Sequence, residues 1–162
     1  MKRKDMLDRL LPRQADNRFD GLHPALWLLG LLIFLKLAMS FDSIFNTESV
    51  AAGADGIPLA SYGPEAAREV LLLFALLSLG QLTLTLIALV ALIRYRALVP
   101  FVYLVLLGEQ LARRAIGRSY AQPGAQMTDV AWYVNYGLLS LLILGLALSL
   151  IRARPPSRET LQ

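Results

Sequence analysis

Four long apolar stretches alternate with short polar segments along the chain. They cover residues 22–45, 65–93, 97–116 and 130–151. A helix crosses a bilayer core with about 20 predominantly apolar residues, and each of these stretches is of that order. The pattern therefore predicts an all-α polytopic membrane protein that folds as a bundle of four transmembrane helices.

Polar segments flank this predicted transmembrane domain at both ends. Residues 1–21 are basic, with apolar residues at helical spacing, which predicts a short amphipathic segment on the cytoplasmic membrane surface. No small-residue cleavage site follows the first apolar stretch, so we expect that stretch to be retained as a span. Residues 152–162 follow the last apolar stretch and are expected to form a flexible cytoplasmic tail.

Helix-breaking residues predict where the helices begin and end. Residues 46–63 contain repeated Gly and Pro but no cation, which predicts an exposed, largely irregular connection with room for one short helical turn. Pro64 suits the first position of the second helix, where its missing N–H does no harm. Gly117 is predicted to end the third helix before a loop that contains Pro123.

Composition supports a membrane location and argues against an enzyme. The chain is 56% hydrophobic, whereas soluble domains are about 45–50% apolar. It has no cysteine and one histidine, His23, which excludes thiolate metal sites and bis-histidine haem ligation. We find no HExxH, GxSxG or glycine-rich phosphate loop. The spacing of Asp42, Glu48 and Asp55 fits no EF-hand. We therefore expect no catalytic residues, no metal and no cofactor.

The distribution of Lys and Arg predicts the orientation. With the N-terminus in the cytoplasm, eleven cations lie on the cytoplasmic side and four on the outer side, while Lys36 lies inside a span. Cytoplasmic loops are enriched in Lys and Arg, so both termini are predicted to be cytoplasmic. Cations that flank apolar spans serve this role more often than they bind nucleic acid, so the lipid bilayer is the expected partner.

Several polar residues fall within the predicted spans. Lys36 and Glu109 lie about twelve residues from the cytoplasmic ends of their helices, so the constant helical rise gives them the same depth. A charge at that depth needs a partner, which predicts a Lys36–Glu109 ion pair. Arg113 lies one turn beyond Glu109 on the same face. The predicted intramembrane polar network comprises Lys36, Asp42, Gln81, Glu109, Arg113 and Asn135, with Asp42 paired to Arg113 or Arg114.

Two interpretations of this network remain open. An ion pair that fixes the arrangement of the helices favours a non-enzymatic accessory or scaffold protein, which associates with itself or with a larger membrane complex. Alternatively, ionisable residues inside a membrane mark transport paths, which favours a small transporter or channel component that uses Lys36 and Glu109. The sequence contains no inverted repeat of the kind found in many transporters.

Short motifs carry a resemblance to a known group of proteins. They are ADGIPL at residues 54–59, YGP at 62–64, RYR at 94–96 and LGEQLAR at 107–113. Over residues 17–152 the chain resembles a family of small uncharacterised inner-membrane proteins of Gram-negative bacteria. The resemblance implies a bacterial inner membrane and four helices, and it carries no established activity.

Overall fold

The computed structural model describes residues 10, 12, 14–120 and 129–151. Most of the predicted amphipathic segment at residues 1–21 and all of the predicted tail at 152–162 lie outside the described residues. The regular structure in the described part of the chain is entirely helical.

Four long helices account for most of the fold. They are α1 (His23–Phe45), α2 (Pro64–Arg94), α3 (Val99–Tyr120) and α4 (Asp129–Leu150). Their ends lie close to the predicted ones, except that α3 continues past Gly117 to Tyr120. The prediction that Gly117 ends α3 is therefore wrong. A glycine that ends a helix typically adopts a positive φ angle. Among the described glycines only Gly56 has such an angle.

The connection between α1 and α2 is more regular than its sequence predicts. It contains a short helical segment at Thr47–Ser49, a π-helical turn at Val50–Ala54 and a 3₁₀ turn at Leu59–Ser61. Ala51 is fully buried against the rest of the protein. Gly56, with a φ of 69°, allows the reversal between the two turns. Most residues of the segment are exposed, as predicted, but its backbone forms several short helical turns and is less irregular than predicted.

The helices form a bundle in which neighbours alternate in direction. α1 packs against α2 and α4, and α3 packs against α4 and less extensively against α2. The backbone N–H of Leu22 donates to the carbonyl of Leu148 at 3.2 Å, and that of Ala97 donates to Asp16 at 3.2 Å. The start of α1, the turn between α2 and α3 and the end of α4 therefore share one end of the bundle, called here the terminal end. The opposite end, which carries residues 46–63, is the loop end.

An apolar core fills the half of the bundle nearest the terminal end. Tyr103 lies at its centre, fully buried, and its hydroxyl donates a hydrogen bond of 2.7 Å to the carbonyl oxygen of Ala25. The ring lies directly against Gly145, where a Cβ atom would overlap it. One aromatic side chain of α3 thus contacts both α1 and α4. The other fully buried large side chains are Leu29, Leu32, Thr85, Val99, Leu106 and Leu142.

Three helices in the described part of the chain are long and apolar enough to cross a membrane. They are His23–Phe45, Pro64–Arg94 and Trp132–Leu150. Only 11% of the most apolar part of α2 is buried in the bundle, so the rest is available to lipid. α3 does not meet the same criterion, and its second half carries Glu109, Arg113, Arg114 and Arg118. The structure supports an all-helical membrane protein.

Candidate functional site

Lys36 and Glu109 form an ion pair across the bundle. Lys36 Nζ lies 3.6 Å from Glu109 Oε2, and only 4% of the Lys36 side chain is exposed. The sequence predicts this pair from depth alone. The two residues meet across the diagonal of the bundle, because α1 packs mainly against α2 and α4. Their contact therefore joins two helices that are not principal packing neighbours.

Arg113 extends the pair towards α2. Its Nε donates a hydrogen bond of 2.9 Å to Glu109 Oε1, and its Nη2 also contacts that oxygen. The same Nη2 donates to Gln81 Oε1 at 3.0 Å. The i, i+4 spacing on α3 accounts for the pairing of Arg113 with Glu109, since residues four apart are neighbours on a helix. The carboxylate of Glu109 thus lies between two cations, and Gln81 connects them to α2.

Gln110 and Asn135 form a second, separate link between α3 and α4. Gln110 Nε2 donates to Asn135 Oδ1 at 3.0 Å, and Gln110 is only 4% exposed. The sequence prediction includes Asn135 but omits Gln110. Helical geometry could have predicted its role. Gln110 lies about 100° around the helix from Glu109 and so faces a different neighbouring helix.

The prediction that Asp42 pairs with Arg113 or Arg114 is wrong. Asp42 Oδ1 instead accepts a hydrogen bond of 2.6 Å from Asn46, and both side chains are exposed. The six-residue separation between Lys36 and Asp42 places Asp42 about 120° away from the inward face of α1. Arg114 lies over the ring of Tyr136, with its guanidinium carbon 4.1 Å from the ring centre, as in a cation–π contact.

A polar cavity of about 270 Å³ adjoins the ion pair on its loop side. Its polar lining comprises Lys36, Ser40, Ser43, Asp55, Ser78, Gln81, Gln110, Arg113 and Asn135. Its apolar lining comprises Met39, Phe74, Leu77 and Leu138. All four helices and the connection between α1 and α2 therefore contribute to it. On the terminal side the buried residues Leu32, Leu106 and Leu142 fill the core, so the cavity ends at the level of Lys36.

Two buried groups of this cavity have unused hydrogen-bonding capacity. Ser40 is 2% exposed, and its hydroxyl has no hydrogen-bond partner among the described residues. The amide nitrogen of Gln81 likewise has none in that part of the chain, although its oxygen accepts from Arg113. Ser40 lies one turn from Lys36 on α1, a spacing that places it on the same face. Buried polar groups normally find partners, so water or a solute in the adjoining cavity would be expected to bond these two.

Asp55 lines the loop end of this cavity. The residue is exposed overall, but partial burial of its carboxyl group raises the pKa above the ordinary value, and the positive charge of Arg113 acts in the opposite direction with a smaller effect. Asp42, Glu48 and Asp55 do not form a metal site, since no group of three potential acidic, His or Cys ligands lies together among the described residues.

Comparisons with protein-family models, with curated proteins and with solved structures find no match for this chain. Any functional conclusion therefore depends on the polar network and the cavity beside it.

Proposed function

We propose that the chain is a four-span protein of a bacterial inner membrane, with the terminal end of the bundle in the cytoplasm. Two observations support α3 as the fourth span. Its first half is apolar and buried, and in its charged half Glu109 and Arg113 are bonded to each other. The eleven-to-four distribution of cations supports cytoplasmic termini.

Reporter fusions test this topology. Fusions after Arg96 and after residue 151 should report the cytoplasm, and a fusion at Asp55 should report the periplasm. If α3 does not cross, the fusion after residue 151 reports the periplasm while the one after Arg96 remains cytoplasmic. That single result separates three spans from four.

The proposed role is that of a non-enzymatic accessory or scaffold component of a membrane assembly. The observation that carries this proposal is the position of Glu109 between Lys36 and Arg113. One carboxylate thus pairs with cations of two helices, as expected of a network that fixes helix positions. Association with further copies or with a larger complex would use the lipid-facing surface, of which α2 provides a large part.

Purification in a mild detergent, followed by mass spectrometry, tests this role. We expect stoichiometric association with another membrane protein or with further copies of the chain. Recovery of a monomer alone, from both mild detergent and native lipid nanodiscs, would contradict the scaffold role.

A second candidate function is that of a small transporter or channel component. The polar cavity favours it, because the cavity adjoins the intramembrane charges Lys36 and Arg113 and lies towards the loop end. Transport additionally requires a path through the core around Tyr103 and Leu106, which is filled in this conformation. Flux measured in proteoliposomes tests this alternative directly.

A further inference from the structure

The polar cavity offers more hydrogen-bond donors than its own acceptors use. The Lys36 ammonium group has three donors, and its ion-pair partner is Glu109. The Ser40 hydroxyl and the Gln81 amide nitrogen are buried without a partner in the described part of the chain. The amide of Gln110 is already used by Asn135. The unused groups near the ion pair therefore include two buried donors, one on α1 and one on α2.

The charges beside the cavity are also unequal. Lys36 and Arg113 are two cations, and Glu109 is the one carboxylate bonded to them. This group of three carries one excess positive charge within the predicted span region. With an ionised Asp55 the four charges sum to zero, so a bound anion would balance the excess of the three-residue group in place of Asp55. Asp55, at the loop end, is the acidic residue of the cavity lining, which does not include Glu109.

We propose that this cavity binds a small oxyanion group, such as a phosphate or a carboxylate, that enters from the loop end. Lys36 and Arg113 provide the charge, and Ser40 and Gln81 donate hydrogen bonds to the bound oxygens. A volume of about 270 Å³ suits one such group and excludes a large solute. The apolar wall formed by Phe74 and Leu77 would accommodate a short hydrocarbon portion beside it.

Asp55 competes with the bound anion. Its carboxylate lies within the electrostatic range of Arg113 and at the mouth of the same cavity. Anion entry therefore brings two negative charges close together, unless Asp55 moves or takes up a proton. Replacement of Asp55 by Asn removes this repulsion, so the Asp55→Asn variant should bind the anion more tightly than the parent protein.

The source of the oxyanion is either a soluble anion or the phosphate of a lipid headgroup. The inference deepens the second candidate function by naming its ligand class, and binding is measured separately from flux. Binding without flux would contradict transport and leave the site intact. If the parent protein binds neither phosphate nor phosphatidylglycerol, the proposed site is overturned, whatever the scaffold and flux experiments show.

The test uses the full-length purified protein in phosphate-free detergent. Inorganic phosphate is titrated at constant ionic strength with chloride as the reference anion, and affinity is obtained from the rise in the thermal unfolding midpoint. Phosphatidylglycerol retained by the same protein is quantified in parallel by native mass spectrometry. The variants are Ser40→Ala, Asp55→Asn and, as a matched control, Ser140→Ala, whose exposed hydroxyl donates to Tyr136 outside the cavity.

Binding that Ser40→Ala weakens about tenfold, Asp55→Asn strengthens and Ser140→Ala leaves unchanged would support the site, the tenfold loss being typical of one charge-assisted hydrogen bond. If phosphate shows this pattern, the ligand is a soluble oxyanion. If only phosphatidylglycerol retention shows it, the ligand is a lipid headgroup. Equal affinities of Ser40→Ala and Ser140→Ala for both probes would overturn the proposal.

Discussion

The carboxylate of Glu109 holds the ammonium group of Lys36 at 3.6 Å across the diagonal of the bundle. Its other oxygen accepts from Arg113, so a single carboxylate serves two cations on two helices. Because of this sharing, removal of Lys36 and removal of the Glu109 charge should have different consequences. Removal of Lys36 leaves Glu109 paired with Arg113, whereas removal of the Glu109 charge leaves both cations without an anionic partner.

Glu109→Gln should therefore destabilise the protein more than Lys36→Met. We expect a cost of about 3 kcal/mol for Glu109→Gln, because it strands a buried charge. Methionine occupies a volume similar to the lysine stem, so Lys36→Met should cost less than about 1.5 kcal/mol. Thermal and chemical unfolding in detergent measure both effects.

The double variant, Lys36→Met with Glu109→Gln, should recover part of the loss caused by Glu109→Gln. Recovery is incomplete because Arg113 then has only neutral acceptors, such as Gln81, and no anionic partner in this network. If Lys36→Met proves as harmful as Glu109→Gln, the two cations do not share the carboxylate.

Gly145 should tolerate no side chain while Tyr103 keeps its position. The Tyr103 ring occupies the space of a Cβ atom at residue 145, so Gly145→Ala forces the ring to move and weakens its hydrogen bond to Ala25. Overpacking of this kind costs about 1–3 kcal/mol. Gly137→Ala on the same helix is the matched control, since nothing beyond the local backbone of α4 lies within 4 Å of the Cβ atom that alanine would add there.

Unfolding midpoints of the two glycine variants should differ accordingly, with Gly137→Ala equal to or slightly above the parent protein. A combined Tyr103→Leu and Gly145→Ala variant should lose less stability than the two single changes added together. Equal midpoints for Gly145→Ala and Gly137→Ala would show that the ring does not pack on Gly145.

Depth along the helices could be predicted from the sequence, whereas the direction around each helix was harder to assign. The Lys36–Glu109 pair follows from counting residues, because every residue adds about 1.5 Å of rise. The prediction that Asp42 pairs with Arg113 or Arg114 is wrong because it used the rise of the helix and ignored its rotation. Asp42 has the right depth for Arg113, but six residues rotate it about 120° away from the face of Lys36. Ser40, four residues after Lys36, lies on the same face of α1 as Lys36.

The cavity could not be predicted, because it depends on how far two helices separate. The spacing of Ser78 and Gln81 marks a packing face of α2, and both residues line the cavity. Whether such a face touches its neighbour or borders a space depends on side chains from several helices, including Phe74 and Leu138. The regular turns between α1 and α2 were missed for a similar reason. The buried side chain of Ala51 anchors these turns to the bundle, and this contact cannot be predicted from the local Gly and Pro content.

Gln110 and Asn135 should show a measurable interaction energy. Their 3.0 Å hydrogen bond joins α3 to α4, and such bonds between membrane helices contribute roughly 0.6–1.5 kcal/mol. A double-mutant cycle of Gln110→Leu and Asn135→Leu, followed by unfolding in detergent, gives this energy. The pair Gln110→Leu and Ser140→Ala is the control and should be additive. A zero interaction energy for the first pair would show that the hydrogen bond does not stabilise the fold.

Asp55 should make stability fall as the pH rises. Burial raises the pKa of its carboxyl group in the folded protein above that in the unfolded chain, about 3.9. Between these two values the folded state binds more protons than the unfolded state, so the free energy of unfolding decreases with increasing pH. Asp55 thus favours the folded state most below the unfolded pKa, and this contribution is lost as the pH rises through the folded pKa.

Asp55→Asn removes the titrating group and should flatten this part of the pH profile. The measurement is the unfolding midpoint from about pH 3.5 to 7, for the parent and the variant. Glu48→Gln, on the same connection but outside the cavity, is the control for the loss of one acidic charge. We expect the midpoint of Asp55→Asn to exceed that of the parent increasingly as the pH rises, while Glu48→Gln follows the parent. Parallel profiles for the parent and Asp55→Asn would mean that Asp55 is solvated like an ordinary surface carboxylate, and its competition with a bound anion would lose its basis.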